Sequence, residues 1–138
     1  MKTINIENFY TDVNEREGVW HEPVFNGKKW GIQLLLIGIH SEEAEKLMDE
    51  YDKKSDAIRD DKKLSEEDKF KKLEELDAER MASLCKGIRA SNDAELVRDG
   101  KPLEFSIEVV KTLFLNSSAL KMDCVDFVLN SANFVKED

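Results

Sequence analysis

The sequence predicts an α+β fold, mostly α, in which an N-terminal β-hairpin precedes a charged helical hairpin and two C-terminal helices. Alternating apolar residues flank an Asn-Gly pair near the N-terminus, a pattern typical of a β-hairpin. Further along, apolar residues recur at helical spacing and serines precede the apolar runs. The length of 138 residues favours one domain, 1–138. We divide it into an N-terminal arm and hairpin (1–40), a helical hairpin (41–90) and a C-terminal helical part (91–138).

The first element is a hairpin between residues 19–25 and 28–37, because Asn26-Gly27 tolerates the positive φ of a tight turn. One pleat face of the second strand carries Trp30, Ile32, Leu34 and Leu36. Pro23 cannot donate to a ladder, so the first strand is expected at a sheet edge. Trp20 and Trp30 are expected to pair across the strands. Residues 3–16, which include Ile4, Ile6 and Phe9, fit either a short strand or a docking arm.

The middle of the chain is predicted to be helical and solvated. Residues 41–90 contain 28 charged residues out of 50. Ser41 caps a first helix, and Ser65 with Asp68 resembles a capping box for a second. The two apolar stripes are Ala44, Leu47, Met48, Tyr51, Ser55 and Ile58, and then Phe70, Leu73, Met81, Leu84 and Ile88. Two narrow stripes favour an antiparallel helical hairpin, and one continuous helix remains the alternative.

The C-terminal part begins with a short strand at 95–98 before an Asp99-Gly100 turn. Ser106 is a suitable N-cap for a helix over 107–115. A last helix over 118–132 has an apolar arc of roughly half its circumference, so it either lies in the core or offers surface to a partner. Residues 133–138 are predicted to be a frayed tail.

Composition disfavours several functional classes. The 30 acidic and 21 basic residues give a net charge of -9, which disfavours nucleic acid and anionic membranes as partners. No apolar stretch is long enough to span a bilayer and no signal pattern opens the chain, so we expect a soluble intracellular protein.

No set of residues predicts catalysis, a cofactor or a metal. The only histidines, His21 and His40, have no Cys, His or carboxylate at ligand spacing in the sequence, so we expect ordinary histidines. Cys85 and Cys124 match no metal or redox spacing and are expected to be small buried residues. We therefore predict a binding protein and not an enzyme.

The order of several short motifs adds to this prediction. Glu17-Gly18-Val19-Trp20 opens the hairpin, whose turn and second strand read FNGKKWGI. Residues 97–106 read VRDGKPLEFS before a short helix, and residues 131–134 read SANF. In this order the motifs resemble the tail assembly chaperones of long-tailed bacteriophages and prophages, over nearly the whole chain.

The resemblance implies a non-enzymatic protein, without a cofactor, in the cytoplasm of the bacterial host. Such a chaperone binds the tape measure protein and helps to recruit tail-tube subunits, and weak homo-oligomer formation stays open. Apolar helical stripes can lie along an amphipathic client helix. The residues that we expect to contact the client are Leu120, Phe127, Phe134, Tyr51 and Met48. The alternative is an acidic decoy that blocks a host nucleic-acid-binding enzyme, on the strength of the net charge.

Overall fold

The computed structural model describes residues 2–135, and the fold is α+β and mostly α. In chain order the strands are β1 (Val19–His21), β2 (Val24–Phe25), β3 (Lys28–Lys29), β4 (Ile32–Leu36), β5 (Cys85–Ala90), β6 (Val97–Arg98) and β7 (Lys101–Pro102). The α-helices are α1 (Asp12–Glu17), α2 (Glu42–Arg59), α3 (Glu66–Ala82), α4 (Ile107–Asn116) and α5 (Ser118–Leu129). Short 3-10 helices cover Ile6–Phe9 and Ser131–Phe134.

The N-terminal hairpin is confirmed, although it is divided into two ladders. β1 pairs antiparallel with β4, and β2 pairs with β3 across the Asn26-Gly27 turn. Both turn residues have positive φ, at 51° and 75°, as a two-residue hairpin turn requires. The sheet order β1-β4-β5 places β1 at an edge, as the proline predicted. The pairing of Trp20 with Trp30 is wrong. The Arg89 guanidinium lies over the Trp20 ring, 3.9 Å from the ring centroid, and Trp30 instead meets Phe25 edge to face.

The segment before the hairpin is helical. The strand alternative for residues 3–16 is wrong, because this segment forms the first 3-10 helix and α1. Ile4, Ile6 and Phe9 are all exposed, so a docking role for them stays a prediction.

The predicted extent of the helical hairpin, to residue 90, is wrong. Its second helix ends at Ala82, and strand β5 follows. Met81, Leu84 and Ile88 fit a helical period, but Leu84 and Cys85 are buried after the helix has ended. β5 instead covers the open edge of β4, with Ile88 opposite Leu34. An unpaired strand edge beside the core leaves backbone groups without partners, so tertiary pairing outweighs the local helical pattern.

The two central helices form a hairpin, so the alternative of one continuous helix is wrong. The Ser41 hydroxyl accepts a hydrogen bond from the Ala44 N–H at 3.2 Å. The Ser65 hydroxyl accepts one from the Asp68 N–H at 3.1 Å. The six-residue region between the helices turns the chain back, and α2 packs against α3. Phe70 does not belong to the buried stripe, because its side chain points into solvent.

The turn and the helix cap that we predicted for the C-terminal part are both present. β6 and β7 flank the Asp99-Gly100 turn, whose φ values are 52° and 76°. The Ser106 hydroxyl accepts from the Val109 N–H at 3.1 Å and begins α4. α5 ends at Leu129, three residues earlier than predicted, and the second 3-10 helix follows.

The predicted frayed tail is wrong for Phe134, which is 0% exposed. The Asn14 side-chain amide on α1 donates to the carbonyls of Phe134 and Val135 at 3.1 and 3.2 Å. These bonds tie the end of the described chain to its beginning. Lys136, Glu137 and Asp138, also predicted to fray, lie outside the described residues.

One core cluster contains residues from all three parts of the chain. Its fully buried members include Leu34, Leu36, Ile37, Ala44, Ala78, Leu84, Val110, Phe114, Cys124 and Val128. Residues of α3, α4 and α5 therefore share one core with strands β4 and β5. The charged α2–α3 loop and the β6–β7 hairpin lie at the periphery.

Candidate functional site

Three of the five expected contact residues are unavailable to a partner. Leu120 and Tyr51 are 2% and 8% exposed, and Phe134 is fully buried. Most of the apolar arc of α5 is buried inside the molecule, because α5 contacts α3, α4, β2 and the second 3-10 helix. Leu129 is the exception and is 56% exposed. The expectation that Leu120, Tyr51 and Phe134 bind a client is therefore wrong for the folded protein.

Phe127 and Met48 are only partly buried and pack against the core. Phe127 stacks on the His21 ring, with 4.1 Å between the ring centroids, and meets Phe134 edge to face. Client contact by Phe127 and Met48 stays a prediction.

Most of the exposed large apolar side chains form three groups, while Phe70, Leu115, Met122 and Leu129 are exposed on α3, α4 and α5. The N-terminal arm, which we define as residues 4–13, carries Ile4, Ile6, Phe9, Tyr10 and Val13. The hairpin tip carries Val24, Phe25 and Trp30. The third group borders β6 and the start of α4 and consists of Val97, Phe105 and Ile107. Exposed apolar groups that lie close together are typical of sites where another macromolecule binds.

A mostly apolar groove lies beside the third group. It has a volume of about 320 Å³ and lies between the β6–β7 hairpin and α4. Its lining is mostly apolar: Ile32, Leu96, Val97, Arg98, Leu103, Val109, Thr112, Leu113 and Asn116. We call this feature the β6–α4 groove.

Local sequence explains why the groove forms. The Asp99-Gly100 turn folds β7 back on β6, and the Leu103 N–H donates to the Leu96 carbonyl at 2.8 Å. Ser106 then starts α4 alongside. Arg98 donates to the Glu108 carboxylate at 3.0 Å and joins the two walls. The guanidinium lowers the pKa of Glu108, and the carboxylate raises the pKa of Arg98. The Arg98–Glu108 pair is exposed to solvent, so it contributes little to the stability of the fold. Its role is to orient the two walls of the groove.

A hollow of about 570 Å³ borders the N-terminal arm, and its described lining is Phe9–Asn14. All of these residues belong to one segment of the chain. The β6–α4 groove draws its walls from three separate elements, which makes it the better binding site.

Asp77 lies on α3, on the side that meets α5. It accepts hydrogen bonds from Arg80 on its own helix and from Lys121 on α5. Burial by itself raises the pKa of Asp77, but Lys121 and then Arg80 outweigh it, so the pKa lies below the ordinary value of 3.8. The carboxylate therefore fastens α5 to α3.

We expect Asp77→Asn to lower the free energy of unfolding at neutral pH by about 1 kcal/mol, since the half-exposed pair is screened by solvent. A depressed pKa stabilises the fold above the unfolded-state value, and this contribution is lost as the pH falls through the folded-state value. The difference between wild type and variant should narrow below pH 3.8. Urea unfolding at several pH values measures it. Asp49→Asn, at an exposed pair with Lys53, is the control, and an equal loss there would contradict the prediction.

His21 has no ligand-type residue at ligand spacing in the sequence, but the fold brings two such residues next to it. His21 Nε2 is hydrogen bonded to Asp123 Oδ1, 102 residues away in the sequence. Cys124 is the next residue on α5, and the three donor atoms all lie within 4.8 Å of one another. Residue spacing could not reveal this cluster, because its members come from opposite ends of the chain.

Both cysteines are buried and free, as predicted. Burial raises the pKa of the Cys85 thiol to about 11. Burial, and then the Asp123 charge, also raise the pKa of Cys124. Neither thiol resembles the low-pKa, accessible thiols of redox enzymes.

Comparisons with protein-family models, with curated proteins and with solved structures found no match to this chain. Over residues 2–135, no helix combines the length and the apolar character that a bilayer crossing requires.

Proposed function

We propose that this chain is a non-enzymatic tail assembly chaperone of a long-tailed phage or prophage. Its partners are the tape measure protein and the tail-tube subunits, and it acts in the cytoplasm of the bacterial host. The observation that carries the proposal is the β6–α4 groove. The motif at residues 97–106, which contributes to the family resemblance, supplies one wall of this groove and the cap of the helix that forms the other.

The chemistry of the groove fits an amphipathic client helix. Leu96, Val97 and Leu103 face Val109 and Leu113 across it, so the apolar face of a helix can replace water there. A site of about 320 Å³ accepts only a few client side chains. Modest buried area limits affinity and permits release during assembly.

The acidic decoy has less support. A nucleic acid mimic needs carboxylate ridges free of cations, whereas both central helices alternate the two signs. The ion pairs within these helices are Lys46–Glu42, Lys53–Asp49, Arg59–Asp56, Lys69–Glu66, Lys71–Glu67 and Arg80–Asp77. Such pairs are typical of a solvated helix surface.

Binding of tape measure segments by variants tests the proposal. Val97→Asp places a charge in the groove, and Val97 is 60% exposed, so the fold should tolerate it. Loss of an apolar contact of about 1.5–3 kcal/mol should weaken binding by roughly one to two orders of magnitude. Calorimetric titration with helical segments of a phage tape measure protein measures the change.

Phe70→Asp is the matched control. Phe70 is 69% exposed on α3 and does not line the groove, so the same substitution there should leave binding unchanged. Equal weakening by both variants, or undiminished binding by Val97→Asp, would contradict the proposal.

A further inference from the structure

We propose that His21, Asp123 and Cys124 form a zinc-binding site that joins the edge strand β1 to helix α5. This inference goes beyond the proposed function and does not depend on it. An imidazole, a carboxylate and a thiolate are all ligands that Zn²⁺ accepts, and the mixed nitrogen, oxygen and sulfur set favours zinc over magnesium or calcium. The three donor atoms lie within 4.8 Å of one another.

Small side-chain movements bring the donors to the separations that the ion needs. With bonds of about 2.0–2.3 Å, the donors around a tetrahedral zinc lie roughly 3.3–3.8 Å apart. The ion would replace the hydrogen bond between His21 Nε2 and Asp123 Oδ1, and these two atoms would move apart to admit it. Cys124 Sγ would close in by about 1 Å, and a water molecule would complete the tetrahedron.

Neighbouring groups already orient two of the ligands. The Val24 N–H donates to Asp123 Oδ2 at 3.3 Å, which leaves Oδ1 facing the histidine. The His21 ring lies against Phe127 at an interplanar angle of 24°. Groups of this kind around a metal fix the direction of its ligands and raise affinity.

The cluster has a buried end and an outer end. Cys124 is buried at the inner end of the cluster, while His21 and Asp123 lie part-buried at its outer end. An ion can therefore reach the cluster from solvent and still bind a sulfur that water does not reach. The Cys124 S–H proton leaves to solvent as the zinc–sulfur bond forms. The proton that His21 Nε2 shares with Asp123 Oδ1 also leaves this site, either to solvent or to His21 Nδ1, as the zinc–nitrogen bond forms.

Titration of the full reduced chain with Co²⁺, followed by Zn²⁺, tests the site. One equivalent of Co²⁺ should give a thiolate-to-metal charge-transfer band and the visible absorption of a four-coordinate ion, and Zn²⁺ should abolish both. Cys124→Ser should remove the charge-transfer band and weaken Zn²⁺ binding at least about 100-fold. Cys85→Ser, at the other buried cysteine, should keep both.

His21→Gln provides a second variant in case the buried serine disturbs the fold. Zn²⁺ should raise the melting temperature of wild type and of Cys85→Ser by several degrees, because it binds only the folded chain. It should not raise that of His21→Gln, and His40→Gln should behave like wild type. Absence of the band in wild type, its persistence in Cys124→Ser, or an equal zinc-induced stabilisation of His21→Gln would overturn the proposal.

Discussion

Phe134→Ala should lower the free energy of unfolding by about 3–5 kcal/mol, the range for removing a buried aromatic ring. The ring is fully buried and meets Phe127 at a centroid distance of 5.4 Å. Its loss leaves a cavity under the second 3-10 helix and weakens the hydrogen bonds that Asn14 donates to the chain end. Urea unfolding followed by circular dichroism measures the change.

Leu129→Ala is the control for that experiment. Leu129 lies five residues earlier and is 56% exposed, so its truncation should change stability by less than about 0.5 kcal/mol. If Phe134→Ala changes the free energy of unfolding as little as the control does, the C-terminal segment is frayed, as the sequence alone predicted. The packing of this segment against α1 would then be contradicted.

Leu34→Ala should lower the free energy of unfolding by about 2–5 kcal/mol. Leu34 is fully buried on the central strand β4, with His21 of β1 and Ile88 of β5 as its cross-strand partners. The substitution opens a cavity beneath the sheet that rigid neighbours on both sides cannot fill. Thermal and urea unfolding give the difference.

Gln33→Ala on the same strand provides the contrast. Gln33 accepts only an exposed hydrogen bond from Arg89, at 2.7 Å, so its loss should cost less than about 1 kcal/mol. Similar losses at the two positions would contradict the alternation of β4 between core and surface.

Elements fixed by short-range chemistry were predictable from the sequence. The serine caps at Ser41, Ser65 and Ser106 depend on an N–H three residues away, and the Asn26-Gly27 turn depends on its own φ angles. Strand β5 was not predictable in this way, because Ile88 fits a helical stripe until β4 offers it a partner. The burial of Phe134 likewise depends on α1, at the other end of the chain.

The candidate site was also predictable only where it depends on short-range sequence features. The turn and cap of the 97–106 motif were visible in the sequence, so one wall of the β6–α4 groove could be expected. Ile32 and Leu113 join the groove only through tertiary packing. The apolar arc of α5 suggested a contact surface that the fold mostly buries, because composition cannot tell whether α5 packs against one neighbour or several. The cluster of His21 with Asp123 and Cys124 had no signal in residue spacing.

Hydrogen exchange of the chain with and without a bound tape measure segment tests the central claim most directly. If a client helix fills the β6–α4 groove, amides in residues 96–103 and in α4 should exchange more slowly in the complex. The outer face of α2 and the N-terminal arm should be unaffected. Slower exchange confined to the arm or to the central helices, with the groove unchanged, would contradict the account.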